Sequence, residues 1–273
     1  MTDDRRRTLD AILASLEAAC DLVDEPWGTL VSNPEFRRVH MANFLWLRSL
    51  PPGGVEEALL RTDEVFAPLR IRYRQLFVED PALANRIAPD LERRGFRRKS
   101  EHLMVARDPP ALAANPKVSL RPARDASTWD DHDAVSGLIH EEEGYDHEVS
   151  YQLLGLHRRR QARLSSEVFV AYLRGEPVGN VAIDGIGGTA EVYEVETAPT
   201  HRHNRVATTM VLAMRARAEA RGLAPVFLRT TVGHTTWQMY EKLGFAREGT
   251  LEGFLQIADA STPRETVRGS SPQ

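Results

Sequence analysis

The stretch from Glu167 to Gly222 constrains the fold most. EVFVAYL and EPVGNVAID alternate apolar and polar residues around an Arg174-Gly175-Glu176 turn, and AEVYEVETA repeats the alternation, which predicts an antiparallel meander of three strands. A helix must follow, because Val206, Met210 and Met214 recur at four-residue spacing between about Arg205 and Arg221, and Gly222 closes the run. Upstream, KVSLRPA reads as a strand, and WDDHDAVSGLIHEEEGY and SYQLLGLHRRRQARL read as two helices parted near Gly144 to His147. Downstream come a strand, VFLRTTV, a helix, TTWQMYEKLGF, closing at Gly244, and a last strand through EGFLQI. The order β, α, α, β, β, β, α, β, α, β predicts an α/β protein with a mixed, mostly antiparallel sheet flanked by helices.

DPPALAANPK, residues 108–117, has three prolines and no hydrophobic periodicity, which marks a boundary. The expected organisation is an N-terminal domain over 1–110, a linker over 111–117, a second domain over 118–258 and a disordered tail over 259–273, where no apolar face exists. In the first domain HMANFLWLRSL, LRIRYRQLFVE and SEHLMVA read as strands, and VEEALLRTDEVF and ALANRIAPDLERRGF as helices. LERRGF falls where YEKLGF falls in the second half, so a duplicated domain is expected.

Composition sets the class. With 42% hydrophobic and 27% charged residues and a mean hydropathy of −0.38, the chain is an ordinary globular one. Cys20 is the single cysteine, which excludes an internal disulfide and a thiolate metal site and fits a reducing cytoplasm. No signal-peptide core or 18-residue apolar run is present, so neither secretion nor membrane association is expected. A net charge of −4 argues against nucleic acid as a partner, and the arginine runs at Arg5 to Arg7, Arg93 to Arg98 and Arg158 to Arg160 read as solvated faces.

Between the meander and its helix lies EVETAPTHRHNRVATTM, Glu194 to Met210, with a basic turn at its centre. A turn opening a helix leaves backbone N–H groups unpaired at the positive end of the helix dipole, where phosphate oxygens bind. Arg202 and Arg205 would strengthen such a site.

Two motifs, in order, resemble those of the GNAT superfamily of acyl-CoA-dependent N-acetyltransferases, over roughly residues 118–258. The family's pyrophosphate loop, Q/R-x-x-G-x-G/A, is matched by Arg202, His203, Asn204, Arg205, Val206 and Ala207, with Arg205 in place of the middle glycine. Its late helix ending Y-x-x-x-G-F is matched by Tyr240 through Gly244 and Phe245. The resemblance implies a GNAT fold, tandem with a degenerate N-terminal copy that has Leu91 where Tyr240 would lie and PPGGVEEAL in place of the basic loop.

It also implies acetyl-CoA as acyl donor and a primary amine of a small molecule as acceptor, attacked directly. The implied cofactor contacts are Val195, Glu196 and Thr197 on the strand, then Arg202, His203, Asn204, Arg205, Val206, Ala207 and Thr208, with the Val195 N–H stabilising the charged oxygen. Tyr240 is the implied general acid. The base is expected on the strand, at Glu196, then Glu194, then Glu191; period two places Glu194 and Glu196 on one face and Glu191 on the other. HEEEGYDHE, His140 to Glu148, reads as a solvated helix end or a lure for a cationic amine. A metal site from His140, Asp146 and His147 lacks a diagnostic spacing, and none is expected. A monomer or a homodimer fits equally. The alternative from another class is a non-catalytic acyl-CoA-binding sensor.

Overall fold

The computed structural model describes residues 2–164 and 166–257; the tail expected over 259–273 lies outside them. The first half runs α1 (Asp3–Glu17), β1 (Asp21–Glu25), β2 (Gly28–Ser32), β3 (Phe44–Leu47), α2 (Gly54–Phe66), β4 (Tyr73–Val78), α3 (Pro81–Arg93), β5 (Arg97–Arg98) and β6 (Glu101–Ala106). The second runs β7 (Val118–Pro122), α4 (Ala126–Glu142), α5 (His147–Leu164), β8 (Glu167–Leu173), β9 (Glu176–Ile186), β10 (Thr189–Thr197), α6 (Val206–Ala220), β11 (Val226–Thr231), α7 (Thr236–Lys242) and β12 (Phe245–Ile257). Each element of the expected second-half order is present. The β1–β2 hairpin, with Asp21 at the start of β1 and Asp24 and Glu25 at its end, carries too little alternation to be read beforehand.

The halves repeat one another. In each, a parallel strand pair brackets a helix, β3–α2–β4 in the first and β10–α6–β11 in the second, and another helix and strand follow. Both late helices close on a left-handed glycine, Gly95 at φ 87° and Gly244 at φ 80°, each followed by a buried phenylalanine, Phe96 or Phe245. Only glycine takes this helix end without a Cβ penalty.

The last strand of each half is exchanged. The sheet order is β1-β2-β3-β4-β12-β6-β11-β10-β9-β8-β7, with β5 also on β12. Thus β6, which precedes the linker, lies between β12 and β11, while the end of β12 pairs with β4. The linker separates the halves along the chain but not across the sheet.

Burial explains why β6 belongs there. Leu103, Met104 and Val105 are all fully buried; Met104 packs into the core under α6 and α7, and Leu103 and Val105 face the opposite layer with Leu9 and Ile12 of α1. A continuous apolar run of this length suits a strand covered on both faces. Helix α1 thereby caps the junction, packing Leu9 and Ile12 against Trp46 and Phe77 of the first half and Phe227 and Leu251 of the second.

Candidate active site

Strand β10 carries the site. Its inward residues Ala190 and Val192 join the core under α6, so Glu191 and Tyr193 point to the other layer, where α4 and α5 lie. The strand then slips. Tyr193 is opposite Ala182 but Glu196 is opposite Asn180, so β10 has one residue more than β9, and Glu194 takes φ 53°. The bulge leaves Glu194 and Val195 without a register partner on β9 and resets the alternation.

The expectation that Glu191 faces away from Glu194 and Glu196 is therefore corrected. All three carboxylates meet the α4–α5 layer: Glu191 touches Arg160, Glu194 touches His132 and His157, and Glu196 touches Ser136. Strict period two holds only for an unbulged strand.

Their surroundings make them different acids. Glu191 accepts from Arg160 at 3.1 Å and from Arg229 at 3.1 Å. Burial pushes its carboxyl up, but the Arg229 and Arg160 charges outweigh burial and hold it below the usual range. Glu194 Oε1 lies 2.9 Å from His132 Nε2 and 2.5 Å from His157 Nδ1, the latter an ion-pair contact outside hydrogen-bond angles. Against burial, the His157 charge and the His132 hydrogen bond hold Glu194 far below its ordinary value. In return, His132, also 3.0 Å from Asp133, is pushed up to about 9 despite its burial. Glu196 has only neutral donors, the Ser136 hydroxyl at 2.7 Å and the Asn180 amide at 3.1 Å. Burial, then the nearby Glu194 charge, pushes its carboxyl up. Of the three, Glu196 is the one whose carboxyl is shifted towards holding a proton, while cations keep Glu191 and Glu194 ionised.

His132, Ser136, His157 and Asn180 were not picked out from sequence. One signal was there: His132 and Ser136 are one turn apart on α4, on the face that should be apolar, and both are fully buried. His157, with Arg160 and Arg229, also lines a small cavity whose walls come from both halves, including Ile12, Phe44, Trp46 and Leu156.

Among the described residues, β10 and β11 pair only before the bulge, at Ala190–Val226 and Glu191–Phe227, and have parted by the time β10 reaches it. The Thr197 hydroxyl past that point is buried without a partner. The basic turn then opens α6 with Arg205 as its cap residue at φ 55°, ψ 29°, and no side chain caps the helix. Among the described residues, the N–H groups of Val206, Ala207 and Thr208 donate no hydrogen bond. Uncapped amides at a helix start suit an anion, and the orphaned Thr197 hydroxyl beside diverging strands suits a polar chain laid between them.

The two arginines differ. Arg202 makes a double hydrogen bond to Glu142 at the end of α4, one arm at 2.8 Å, whereas the exposed Arg205 guanidinium has no partner among the described residues. Arg205 adopts the conformation a glycine would take, at a cost of roughly 1–2 kcal/mol for a residue bearing a Cβ, and its side chain points to solvent rather than into the turn. Asn204 ties the turn together, donating to the carbonyls of His201 and Arg202, and His203 is a further left-handed residue at φ 65°.

Tyr240 lies on α7, 7% exposed and edge-on to Phe245, and burial pushes its hydroxyl up to about 12. Asp146, just before α5, and Glu148, in the first turn of α5, are held by Arg38 of the first half.

Residues 130–245 match the model of the Acetyltransferase (GNAT) family, a span that holds the bulge, the basic turn and Tyr240. Residues 130–245 are a GNAT acetyltransferase domain. No curated protein matches the sequence. Among solved structures, a GCN5-related N-acetyltransferase from Kribbella flavida is similar at 18% identity and a TM-score of 0.67, over 94% of this chain and 96% of that one. A tandem GNAT protein from the clavulanic acid biosynthesis pathway is similar at 13% identity and a TM-score of 0.57, over 95% and 96%. A conserved protein from Staphylococcus epidermidis is similar at 16% identity and a TM-score of 0.66, over 86% and 92%. These likenesses concern the fold, and they extend beyond the GNAT domain to both halves of the chain. The family assigns acetyl transfer in general. Among the described residues, no helix is long and apolar enough to cross a membrane.

Proposed function

We propose that the chain moves an acetyl group from acetyl-CoA to a primary amine of a small molecule by direct attack. The observation that carries the reading is the uncapped left-handed turn at Arg205, set where β10 and β11 part beside a bulged, carboxylate-bearing strand.

The amides of Val206, Ala207 and Thr208 and the free Arg205 guanidinium take the diphosphate, and Thr197 meets the pantetheine arm. The Val195 N–H, freed from the β9 register by the bulge, donates to the thioester oxygen as it gains charge; a preorganised donor of this kind is worth roughly 3–4 kcal/mol in a strong case. Glu196 takes the proton that the acceptor ammonium must lose before its nitrogen can attack. Tyr240, neutral at any physiological pH, donates to the departing thiolate. Glu191 and Glu194, fixed by cations, serve as structural charges rather than bases. The amine enters from the α4–α5 layer, where the first half supplies a wall.

Binding is tested by thermal melting with acetyl-CoA. A site of this kind should stabilise the fold by about 2.7 kcal/mol at a ligand concentration of 100 Kd. An unmoved melting curve at millimolar acetyl-CoA would remove the reading.

A further inference from the structure

The strained turn needs something to hold it, because a side-chain-bearing residue stays left-handed only where its surroundings over-determine it. At Arg205 the constraint comes from the linker. The Asn115 side-chain amide donates to the Asn204 carbonyl at 2.8 Å. The Asn115 backbone N–H donates to the Thr209 hydroxyl at 2.9 Å, and that hydroxyl donates to the Arg205 carbonyl at 2.8 Å. Rotation about φ of Arg205 turns the peptide that contains the Asn204 carbonyl, and rotation about ψ turns the peptide that contains the Arg205 carbonyl. Asn115 thus acts on both peptide planes around the strained Cα, directly on the first and, on the second, through Thr209, whose backbone N–H also donates to the Arg205 carbonyl at 3.0 Å.

Asn115 is itself anchored. Its side-chain oxygen accepts from the Lys117 N–H at 3.0 Å and its carbonyl from the Val118 N–H at 3.0 Å, so a tight turn ties it to the start of β7. Leu112, three residues earlier, packs on the core under α6 and α7. The proline-rich segment between the halves is therefore a built brace along the opening of α6.

We propose that Asn115 is a positioning residue for the cofactor turn, holding Arg205 in the backbone conformation that glycine would adopt unaided and so keeping the Val206, Ala207 and Thr208 amides aimed at one anion. The inference rests on the reading of that turn as the seat of the CoA diphosphate. It explains how the chain keeps the turn's shape with arginine in the glycine position: the linker supplies the constraint, and the guanidinium stays free for phosphate.

The test is a double-substitution cycle in the full chain with Asn115→Ser and Arg205→Gly, read by amide hydrogen exchange over 203–208 without ligand and by calorimetric Kd for CoA. Serine keeps a short hydroxyl for the turn but cannot reach the Asn204 carbonyl. Asn115→Ser should speed exchange in this segment and weaken CoA about fivefold to tenfold, the scale of one lost hydrogen bond, with the melting temperature nearly unchanged. In the Arg205→Gly background the same substitution should cost about twofold or less, because glycine carries no left-handed penalty. Equal losses in both backgrounds, or exchange and Kd unchanged by Asn115→Ser, would overturn the proposal. Absence of CoA binding to the wild-type chain would overturn the reading of the turn, a result distinct from unchanged exchange in the Asn115 variant, which overturns the brace.

Discussion

Residues 118–257 expressed alone should not fold. The segment contains the whole GNAT domain match, yet it lacks β6, which stands between β11 and β12. Removing β6 bares two strand edges in the middle of the sheet and empties the places of Leu103, Met104 and Val105, all fully buried. At roughly 1.5–3 kcal/mol for each side chain, their loss comes to ~5–9 kcal/mol, against ~5–15 kcal/mol for the stability of a typical domain. The far end of β12 would also lose β4, and Arg229 would lose Glu101 from its buried ion cluster. The expected result is a chain that gives no cooperative melt and aggregates through its exposed edges. A cooperative transition at the full-length midpoint would show that the strand exchange does not bind the halves into one folding unit.

Replacing Glu196 by Gln should slow acetyl transfer by about 10²–10⁴-fold, the range for loss of a general base, with little change in KM for acetyl-CoA. The substitution is conservative in shape, since the amide oxygen still accepts from Ser136 and Asn180. It also separates activity from stability. A buried carboxyl raised above its unfolded value costs stability as pH climbs past the unfolded pKa, because ionisation is harder in the folded state. At neutral pH the glutamine variant should accordingly melt no lower than the wild type. In the wild type, the rate should rise with pH through a limb above the ordinary glutamate value of about 4.3, and the variant should lack that limb. A variant within threefold of the wild-type rate would assign the base elsewhere.

Much of this was legible in the sequence, and the reasons differ by element. Gly222 and Gly244 announced the ends of α6 and α7 because each takes a left-handed φ, 66° and 80°, that favours glycine. The basic turn was legible because a helix start after a strand has obligatory unpaired amides. The carboxylate face was misread because Glu194, without glycine's freedom, adopts a left-handed φ, and a bulge in mid-strand leaves no local mark when the residues around it alternate normally. The histidine bracket was hidden for a different reason. His132 and His157 are 25 residues apart on separate helices, and only the packing of α4 and α5 on β10 brings both to one oxygen of Glu194. The exchange of β6 and β12 could not be read at all, since each has a buried apolar stretch that would fit either half of the sheet. The linker's prolines show as a break in periodicity, but its hydrogen bonds to the basic turn depend on a fold that sequence spacing does not encode.

Acetyl transfer to an amine is tested by free-thiol release from acetyl-CoA by the full chain across a panel of small primary amines, with the acetylated amine quantified by mass spectrometry. At least one amine should raise thiol release in proportion to its own acetylated product. Calorimetric binding of acetyl-CoA with no amine raising release above the amine-free rate would contradict it.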